Sequence, residues 1–597
     1  MDYRFKINEI QIANGELPPI KYVPKQLNII IGANSSGKSK LLREIRDTIY
    51  PRQDRLSQEK KVICNSIDLD SPTSFEEFDR AYHLSRRMVK TVNGYRNIDY
   101  CSTGIVFDQE GRVQGPDQYV PSICIDNDWG SYAAALYDGN VDASRGERLA
   151  ELLEYAGASL VTYSAPIDRA LMAYGERKFG RIDAQTNFLS SIQFHDDVLE
   201  ELSETCKKLF RKDVCLDRES SQLLKFRVGR DFSKYWESSK KTSEYNELLY
   251  QANLLDNEGD GLKGFVITFL TLKSGNRPII LIDEPEAFLH PVQAYQLGAI
   301  IGQSITPDCQ IFIATHSSDL IRGVMAIVEK KNFESIGLLR LNGQAEAAAG
   351  NAAKIVEGAL LHNIASNKRF SKSSAIDGLF TKSVILVEDD SDRLVYQALL
   401  DKLGIMEDCP IIPIFGKDLA HPHIELFTSM GIPCRAILDF DLVNNWEKLK
   451  LILRALKIDA GKQGLHLLIK KMQEEAKRCH PVSESDEKDS RGAEDRSRKS
   501  DEWKQEYKSV STEWPTCSPS FQRLVDQFEE YRQLFISHGL LIVGTGELET
   551  VLEDGPYSSQ NKDKWLWRAL EMIDEMGETD LQALSIVCDM KKMFFAI

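Results

Sequence analysis

The stretch SVILVEDDSDRLVYQ, residues 383–397, sets four carboxylates behind a hydrophobic run. Val384–Val387 reads as a buried strand, and Glu388, Asp389, Asp390 and Asp392 follow within five residues. Two chemistries use such a cluster. One is phosphoryl acceptance by a single aspartate beside a metal; the other is metal-dependent phosphodiester cleavage. The next acids downstream bear on the choice. In AILDFDLVNNW, Asp439 and Asp441 follow another apolar run with Phe440 between them. A spacing of two points both carboxylates to one side of an extended segment. A lone phospho-acceptor has no use for that pairing, whereas a metal site does. Carboxylate oxygens alone suit a hard divalent cation, Mg2+ or Mn2+.

A second constellation is built for nucleotide. GANSSGKS, Gly32–Ser39, fits G-x-x-x-x-G-K-[ST] between the apolar run LNIII and the helical pattern SKLLREIRDTI, the context that the motif requires. Gly32 and Gly37 let backbone N–H groups curl around phosphates, with Asn34, Ser35 and Ser36 completing the loop. Lys38 reaches the β- and γ-phosphates of ATP, and Ser39 can ligate Mg2+. LIDEPEAFLHP, residues 281–291, supplies the complement. Asp283 at the end of a buried strand is expected to hold the Mg2+ through water, and Glu284 to polarise the attacking water. His316, in IFIATHSSDL, ends a third strand and is expected at the γ-phosphate.

The elements that must position these groups can be read from hydrophobic period. Residues 4–13 and 18–31 read as strands, and 262–272 as an apolar helix. PIILID (278–283) and QIFIATH (310–316) read as buried strands. From about 50 to 250 the pattern is polar and mostly helical, with a possible strand at ASLVTYS (158–164), and 345–378 is weakly patterned. Past 383, strands at 383–387, 410–415 and 434–439 alternate with helices at 392–404 and 422–430, which implies a parallel sheet with helices on its faces. A helix at 520–536, a strand at 539–543 and a helical C-terminal region close the chain. The fold class is therefore α/β, with a nucleotide-binding domain over 1–378, carrying a helical insertion at about 50–250. A second α/β domain spans 379–597, with a charged helical insertion at about 445–535. Within the latter, residues 483–502 have almost no apolar side chain, and a mobile insertion is expected.

Bulk properties narrow the class. A chain of 597 residues with 42% apolar and 27% charged residues is ordinary globular material of more than one domain. Eleven scattered cysteines without a CxxC pair argue against a zinc ribbon or a disulfide framework and for a reducing cytoplasm. The N-terminal stretch MDYRFKINEI has no apolar signal core, and no apolar run is long enough to span a membrane. The net charge of −16 alone disfavours nucleic acid, but KKLFRK (207–212), KFRVGRDFSKYWESSKK (225–241) and NKRFSK (367–372) are locally basic. The ordinary reading of each run is a solvated helix face, so net charge does not settle the partner.

The GxNxSGKS and DEPExxLHP forms resemble the SMC-like branch of the ATP-binding-cassette ATPases. That resemblance implies heads that dimerise face to face around ATP, each site completed by a signature loop from the other subunit. GDGLKG, residues 259–264, is the candidate loop, with Gly259 and Gly261 as its nucleotide-side residues. It departs from the family's Ser-Gly-Gly pattern, with Asp260 where a serine would meet the γ-phosphate. An acid there costs energy unless Mg2+ or a lysine offsets it. No sustained heptads fill the interval where SMC-like proteins carry a coiled coil, so a compact insertion is expected.

The acid pattern is similar to the Toprim domain, which has a Glu after its first strand and Asp-x-Asp after its third. Glu388 and Asp392 match the first pair, and Asp439 and Asp441 the second; Asp389 stands where the family usually has Gly. GTGELETVL, residues 544–552, resembles the Gly-x-Leu-Glu element of the overcoming-lysogenization-defect (OLD) branch of Toprim nucleases. Glu549 matches its acid, with Glu547 a neighbour that can assist. The lysine that follows in that branch would be Lys564 or Lys562. Two ions roughly 4 Å apart, shared by these carboxylates, would bind the attacking and leaving oxygens of a phosphodiester, with the lysine stabilising the added charge.

An SMC-like ATPase followed by Toprim is the architecture of OLD-family nucleases, among them the nuclease subunit of the Gabija antiphage system and retron-associated effectors. The resemblance implies an ATP-regulated, Mg2+- or Mn2+-dependent endonuclease acting on double-stranded DNA in prokaryotic antiphage defence. It implies a homodimer or higher homo-oligomer through the ATPase heads, and a possible defence-system partner subunit or nucleoprotein. The rival from another class is a non-catalytic, ATP-switched scaffold or DNA-binding protein with a degenerate Toprim domain, for which Asp389 and the unusual signature loop speak.

Overall fold

Runs of β-branched and apolar residues form the two parallel sheets, and the breaks between them fall at Pro, Gly and Asx residues. The computed structural model describes residues 6–49, 62–70, 161–166, 192, 195–218, 223–230, 232, 243–273, 278–328, 333–343, 347–348, 350–356, 374–404, 409–459, 462–479, 519–544, 548, 552 and 562–595. It also describes the backbone of short strands at 89–92, 95–98, 106–107, 113–114 and 176–177. The chain divides into two compact units, Met1–Lys368 and Arg369–Ile597.

In the first unit the strands are β1 (Lys6–Asn14), β2 (Leu17–Tyr22), β3 (Leu27–Ile31), β4 (Cys64–Asp70) and β5 (Val161–Ser164), with helix α1 (Lys38–Ile49) after β3. Then come α2 (Asp196–Phe210), β6 (Asp213–Asp217), β7 (Leu223–Gly229), α3 (Ser243–Gln251) and α4 (Asp260–Lys273). β8 (Ile279–Asp283), α5 (Pro291–Gln303), β9 (Gln310–Ala314), α6 (Ser318–Val328), β10 (Ile336–Leu341) and β11 (Ala353–Val356) follow.

The main sheet runs β11-β10-β3-β9-β8-β5, parallel except for β11. β1, β2 and β4 form a separate antiparallel sheet. The single strand expected over 18–31 is thus two strands in different sheets. Pro24 lacks the N–H that a continuous ladder needs, and the Asn28 carboxamide ties the break together, accepting from Lys25 N–H at 2.7 Å and Tyr22 Oη at 2.8 Å. The core beneath α1 is Leu41, Leu42, Ile45 and Ile49 packed on Ile30, Leu281 and Phe312.

Much of 50–250 lies outside the described residues, as does 483–502. What is described between 50 and 250 is less helical than its polarity implies. Alongside α2 and α3, Val89–Val92 pairs with Tyr95–Ile98, Val106–Phe107 with Val113–Gln114, and β6 with β7, all antiparallel. Short stretches with β-branched or aromatic residues, such as VKTV and LLKFRVG with its Phe226 and Val228, favour pleated pairing.

The second unit holds β12 (Val384–Val387), α7 (Asp390–Lys402), β13 (Ile411–Pro413), α8 (Ala420–Ser429), β14 (Cys434–Leu438) and α9 (Trp446–Ala455). α10 (Lys462–Cys479), α11 (Pro519–Ser537), β15 (Leu540–Ile542) and α12 (Lys562–Glu575) follow, then α13 (Glu578–Ala583) and α14 (Ser585–Phe595). The sheet is β13-β12-β14-β15, all parallel. Ile385, Val387, Tyr396, Leu399, Leu541, Trp565 and Met590 share its core. Parallel strands place their carboxyl ends, and the acids that follow them, along one edge. Arg532 of α11, buried with Asp589, donates to Asp589 Oδ2 at 2.7 Å and to the carbonyl of Ile542 at 3.2 Å, fixing the end of β15. No helix among the described residues is long and apolar enough to cross a membrane.

Candidate functional site

The phosphate loop joins β3 to α1. Gly32 has φ 149°, and a Cβ there would lie 2.3 Å from the Leu341 carbonyl, so only glycine fits. Gly37, at φ 99°, holds a backbone conformation that L side chains rarely adopt. Asn34 and Ser35 are exposed, Ser36 is buried, and Ser35 adopts φ 62°. Lys38 Nζ donates to the carbonyls of Gly32 at 2.9 Å and Ala33 at 3.1 Å. Its ammonium therefore folds over the cradle that phosphates would fill. Burial pushes the Lys38 amine below its ordinary value, while Glu284, Asp283 and Glu286 pull the other way.

Ser39 Oγ donates to Asp283 Oδ1 at 2.9 Å although 244 positions separate them. β9 lies between β3 and β8, so His316, just past β9, sits between the loop and the acids. Its Nδ1 is 3.4 Å from Glu284 Oε1 and 3.6 Å from Glu286 Oε1. Glu284 takes φ 45° and its N–H donates to the Ala314 carbonyl at 2.8 Å, which pins the turn after β8.

Glu286 is a participant that the motif reading passed over. It is buried, and its Oε1 accepts from Thr315 Oγ1 at 2.6 Å and from His316 N–H at 3.2 Å. Burial raises its carboxyl above the ordinary carboxylate range, against those donors. The signal was present as the second acid of Glu-Pro-Glu, with Pro285 holding the turn.

Gly259 and Gly261 flank the first residue of α4. A Cβ on Gly261 would come within 2.5 Å of the Phe288 carbonyl, so the loop lies directly against the turn that follows Glu284. Asp260 is met by Lys263 Nζ at 3.2 Å.

In the second unit Glu388 directly follows β12, and its Oε1 accepts the Asp439 N–H at 3.1 Å. Asp439 is extended at the end of β14, but Phe440–Asn444 is a 3-10 turn rather than more strand. Phe440 is buried edge-on against Phe528, ring centres 5.7 Å apart. The reason for expecting Asp439 and Asp441 on one side, strand alternation, therefore does not hold. Asp441 instead lies nearly buried within the turn and forms an ion pair with Lys417, which the motif reading also missed.

Asp389 is the N-cap of α7, accepting from Ser391 N–H at 2.8 Å and Asp392 N–H at 3.3 Å. Asp392 Oδ2 answers by accepting the Asp389 N–H at 2.9 Å, a capping box made of two aspartates. Asp390, in the first turn, pairs with Arg393 at 2.6 Å. Glu547 and Glu549 lie outside the described residues, and Lys562 and Lys564 occupy the first turn of α12. Among the described residues no three His, Cys, Asp or Glu side chains converge as a ready metal cage. Glu388, Asp439 and Asp441 are nonetheless hard oxygen donors of the kind a divalent cation takes, and a lysine ammonium already stands on Asp441.

Fold and sites define the class, a P-loop ATPase unit and a Toprim-type unit in one chain. Residues 379–441 match the family described as "Overcoming lysogenization defect protein-like, TOPRIM domain". Residues 241–322 match "AAA domain, putative AbiEii toxin, Type IV TA system". The chain is 23% identical over 222 residues to the Old nuclease of Escherichia phage P2, covering 36% of this chain and 35% of that protein. It thus spans about a third of the length of this curated relative. Two of the solved structures that align are Smc heads. One is an Smc head bound to the C-winged helix domain of ScpA, with TM-score 0.32, 13% identity, 59% of this chain and 97% of that one covered. The other is an Smc head with an extended coiled coil bound to the C-terminal domain of ScpA derived from Pyrococcus furiosus, with TM-score 0.30, 12% identity, 59% and 96% covered. These matches support reading the chain as a P-loop ATPase followed by an OLD-like Toprim domain.

Proposed function

We propose that the protein is an ATP-regulated, divalent-metal-dependent endonuclease acting on double-stranded DNA in the cytoplasm, and that it serves prokaryotic antiphage defence. The observation that carries this reading is the junction of Glu388 with Asp439, which sets a strand-end glutamate beside the Asp-x-Asp turn at one edge of a parallel sheet. Glu388, Asp439 and Asp441 would hold the metal, with Asp392, Glu549 and Glu547 as further ligands and Lys564 or Lys562 on the phosphate. A divalent ion there supplies Lewis-acid charge to a phosphodiester. Glu388 orients the Asp439 backbone, and the 3-10 turn carries Asp441 inward on the buried Phe440.

In the ATPase unit Lys38 exchanges its own loop carbonyls for phosphate oxygens. Ser39 and Asp283, already in contact, flank the place of a Mg2+ ion, and Glu284 with His316 faces the γ-phosphate. Gly259 and Gly261 would meet nucleotide from a second copy, so the working form is a homodimer or larger, with room for a defence-system partner. The scaffold reading drew on Asp389 and on the unusual signature loop; the helix-capping role of Asp389 supports the nuclease reading. Plasmid DNA incubated with the protein across Mg2+, Mn2+ and Ca2+, with and without ATP, tests the proposal. Metal-dependent nicking is expected, and its absence with every metal would favour the scaffold.

A further inference from the structure

Lys417 does not belong to the acid pattern, yet its ammonium stands on Asp441. It begins the short turn Lys417–Leu419 beyond β13. Because the sheet order is β13-β12-β14, the lysine must reach past the end of β12, where Glu388 sits, to meet an acid that follows β14. The turn is anchored on both sides. Gly416 N–H donates to the Glu388 carbonyl at 3.1 Å, and Ile414 N–H to the Val387 carbonyl at 2.9 Å. Asp418 forms an ion pair with Lys448 of α9. Phe415 and Gly416 take φ 53° and 115°, the backbone cost of aiming the next residue back over the sheet. An exposed lysine pair adds little, but the Asp441 carboxylate is only 9% exposed, so its partner matters.

We propose that Lys417 is a built-in cation that holds Asp441 when no divalent ion is bound and is displaced from it when one binds. This rests on reading the Toprim edge as a metal site. Lys417 stands on Asp441 Oδ2, so a divalent ion that takes this oxygen at the same place must displace the ammonium. The observed affinity is lowered by that competition, as for any ligand whose competent state is only partly populated. Lys417 is a positioning residue here: it keeps the Asp441 side chain in place and sets the metal concentration at which the site fills.

The test is Mn2+ binding to the full chain without nucleotide, followed by electron paramagnetic resonance, with melting curves in EDTA and at saturating Mn2+. Asp439→Ala assigns the site, since its Mn2+ signal should be lost. Lys417→Met should bind Mn2+ about tenfold tighter, the shift expected when a competing charged hydrogen bond is removed. It should melt below wild type in EDTA, and that deficit should vanish at saturating Mn2+. Lys417→Arg, which keeps the charge, should bind no tighter than wild type, and this variant carries the test if Lys417→Met does not fold. Unchanged Mn2+ affinity in Lys417→Met, a melting deficit that persists in Mn2+, or tightening in Lys417→Arg would overturn the displacement alone. Lack of Mn2+ binding in wild type and Lys417→Met alike would overturn the metal-site reading and the proposal with it.

Discussion

The Glu388 carboxylate accepts the backbone N–H of Asp439 at 3.1 Å, joining residues 51 positions apart at the ends of neighbouring parallel strands. The bond runs from side chain to main chain, so the two residues are not equivalent. Glu388→Ala removes the acceptor, and Asp439→Ala leaves the bond in place. Urea unfolding should therefore show Glu388→Ala less stable than Asp439→Ala by about 1 kcal/mol, the net worth of one such bond. Equal stabilities would mean that the contact contributes nothing.

Asp389 separates capping from metal binding. As N-cap it accepts two backbone N–H groups. Asp389→Ala should cost about 1 kcal/mol, and Asp389→Gly only a few tenths, because a bare glycine N-cap is nearly as well tolerated. Both should retain any cleavage activity, since the residue points at the helix start. Denaturation midpoints paired with plasmid assays check this; a loss of cutting larger than the loss of stability would make Asp389 a functional acid.

Glu286 predicts a pH dependence. Its folded carboxyl lies above the ordinary value of 4.5, chiefly through burial. The stability it contributes is thus fully present below the ordinary carboxylate value and is lost as pH rises through the raised folded value. Glu286→Gln keeps the acceptor for Thr315 and His316 without the charge. Its melting temperature relative to wild type should rise from about pH 4.5 upward and then level off. A difference that stays flat with pH contradicts the account.

Most of the site-bearing frame was legible in the sequence, because strands such as LNIII, IILID and VILV are continuous apolar runs and the chemistry sits at their ends. The P-loop, Asp283, Glu388 and Asp439 could be placed by that logic alone. The rest was decided by contacts between distant residues. Nothing local marks Lys417 as the partner of Asp441, or Arg532 as the anchor of β15, because sequence period reports burial and not pairing. The aspartate capping box was hidden by its own composition, since Asp392 reads as a ligand by residue type and Asp389 as a departure from the family's Gly, and the two form a helix start only by geometry. The split of 18–31 was signalled by Pro24, which the apolar run around it masked.

Lys38 closes over its own loop through the Gly32 and Ala33 carbonyls. Lys38→Ala should abolish binding of a labelled ATP analogue, a loss of at least about 100-fold from one charge-assisted contact to phosphate, of ~3 kcal/mol. Filter binding or fluorescence anisotropy measures it, and unchanged affinity would contradict the P-loop assignment.

The central claim is that the carboxylates at the edge of the second sheet cut DNA. The most direct measurement is supercoiled-plasmid cleavage in Mg2+ and in Mn2+ by wild type, Glu388→Ala and Asp439→Ala, each first shown to bind ATP normally. The account predicts metal-dependent cutting by wild type and none by either variant; wild-type cutting by both purified variants would contradict it.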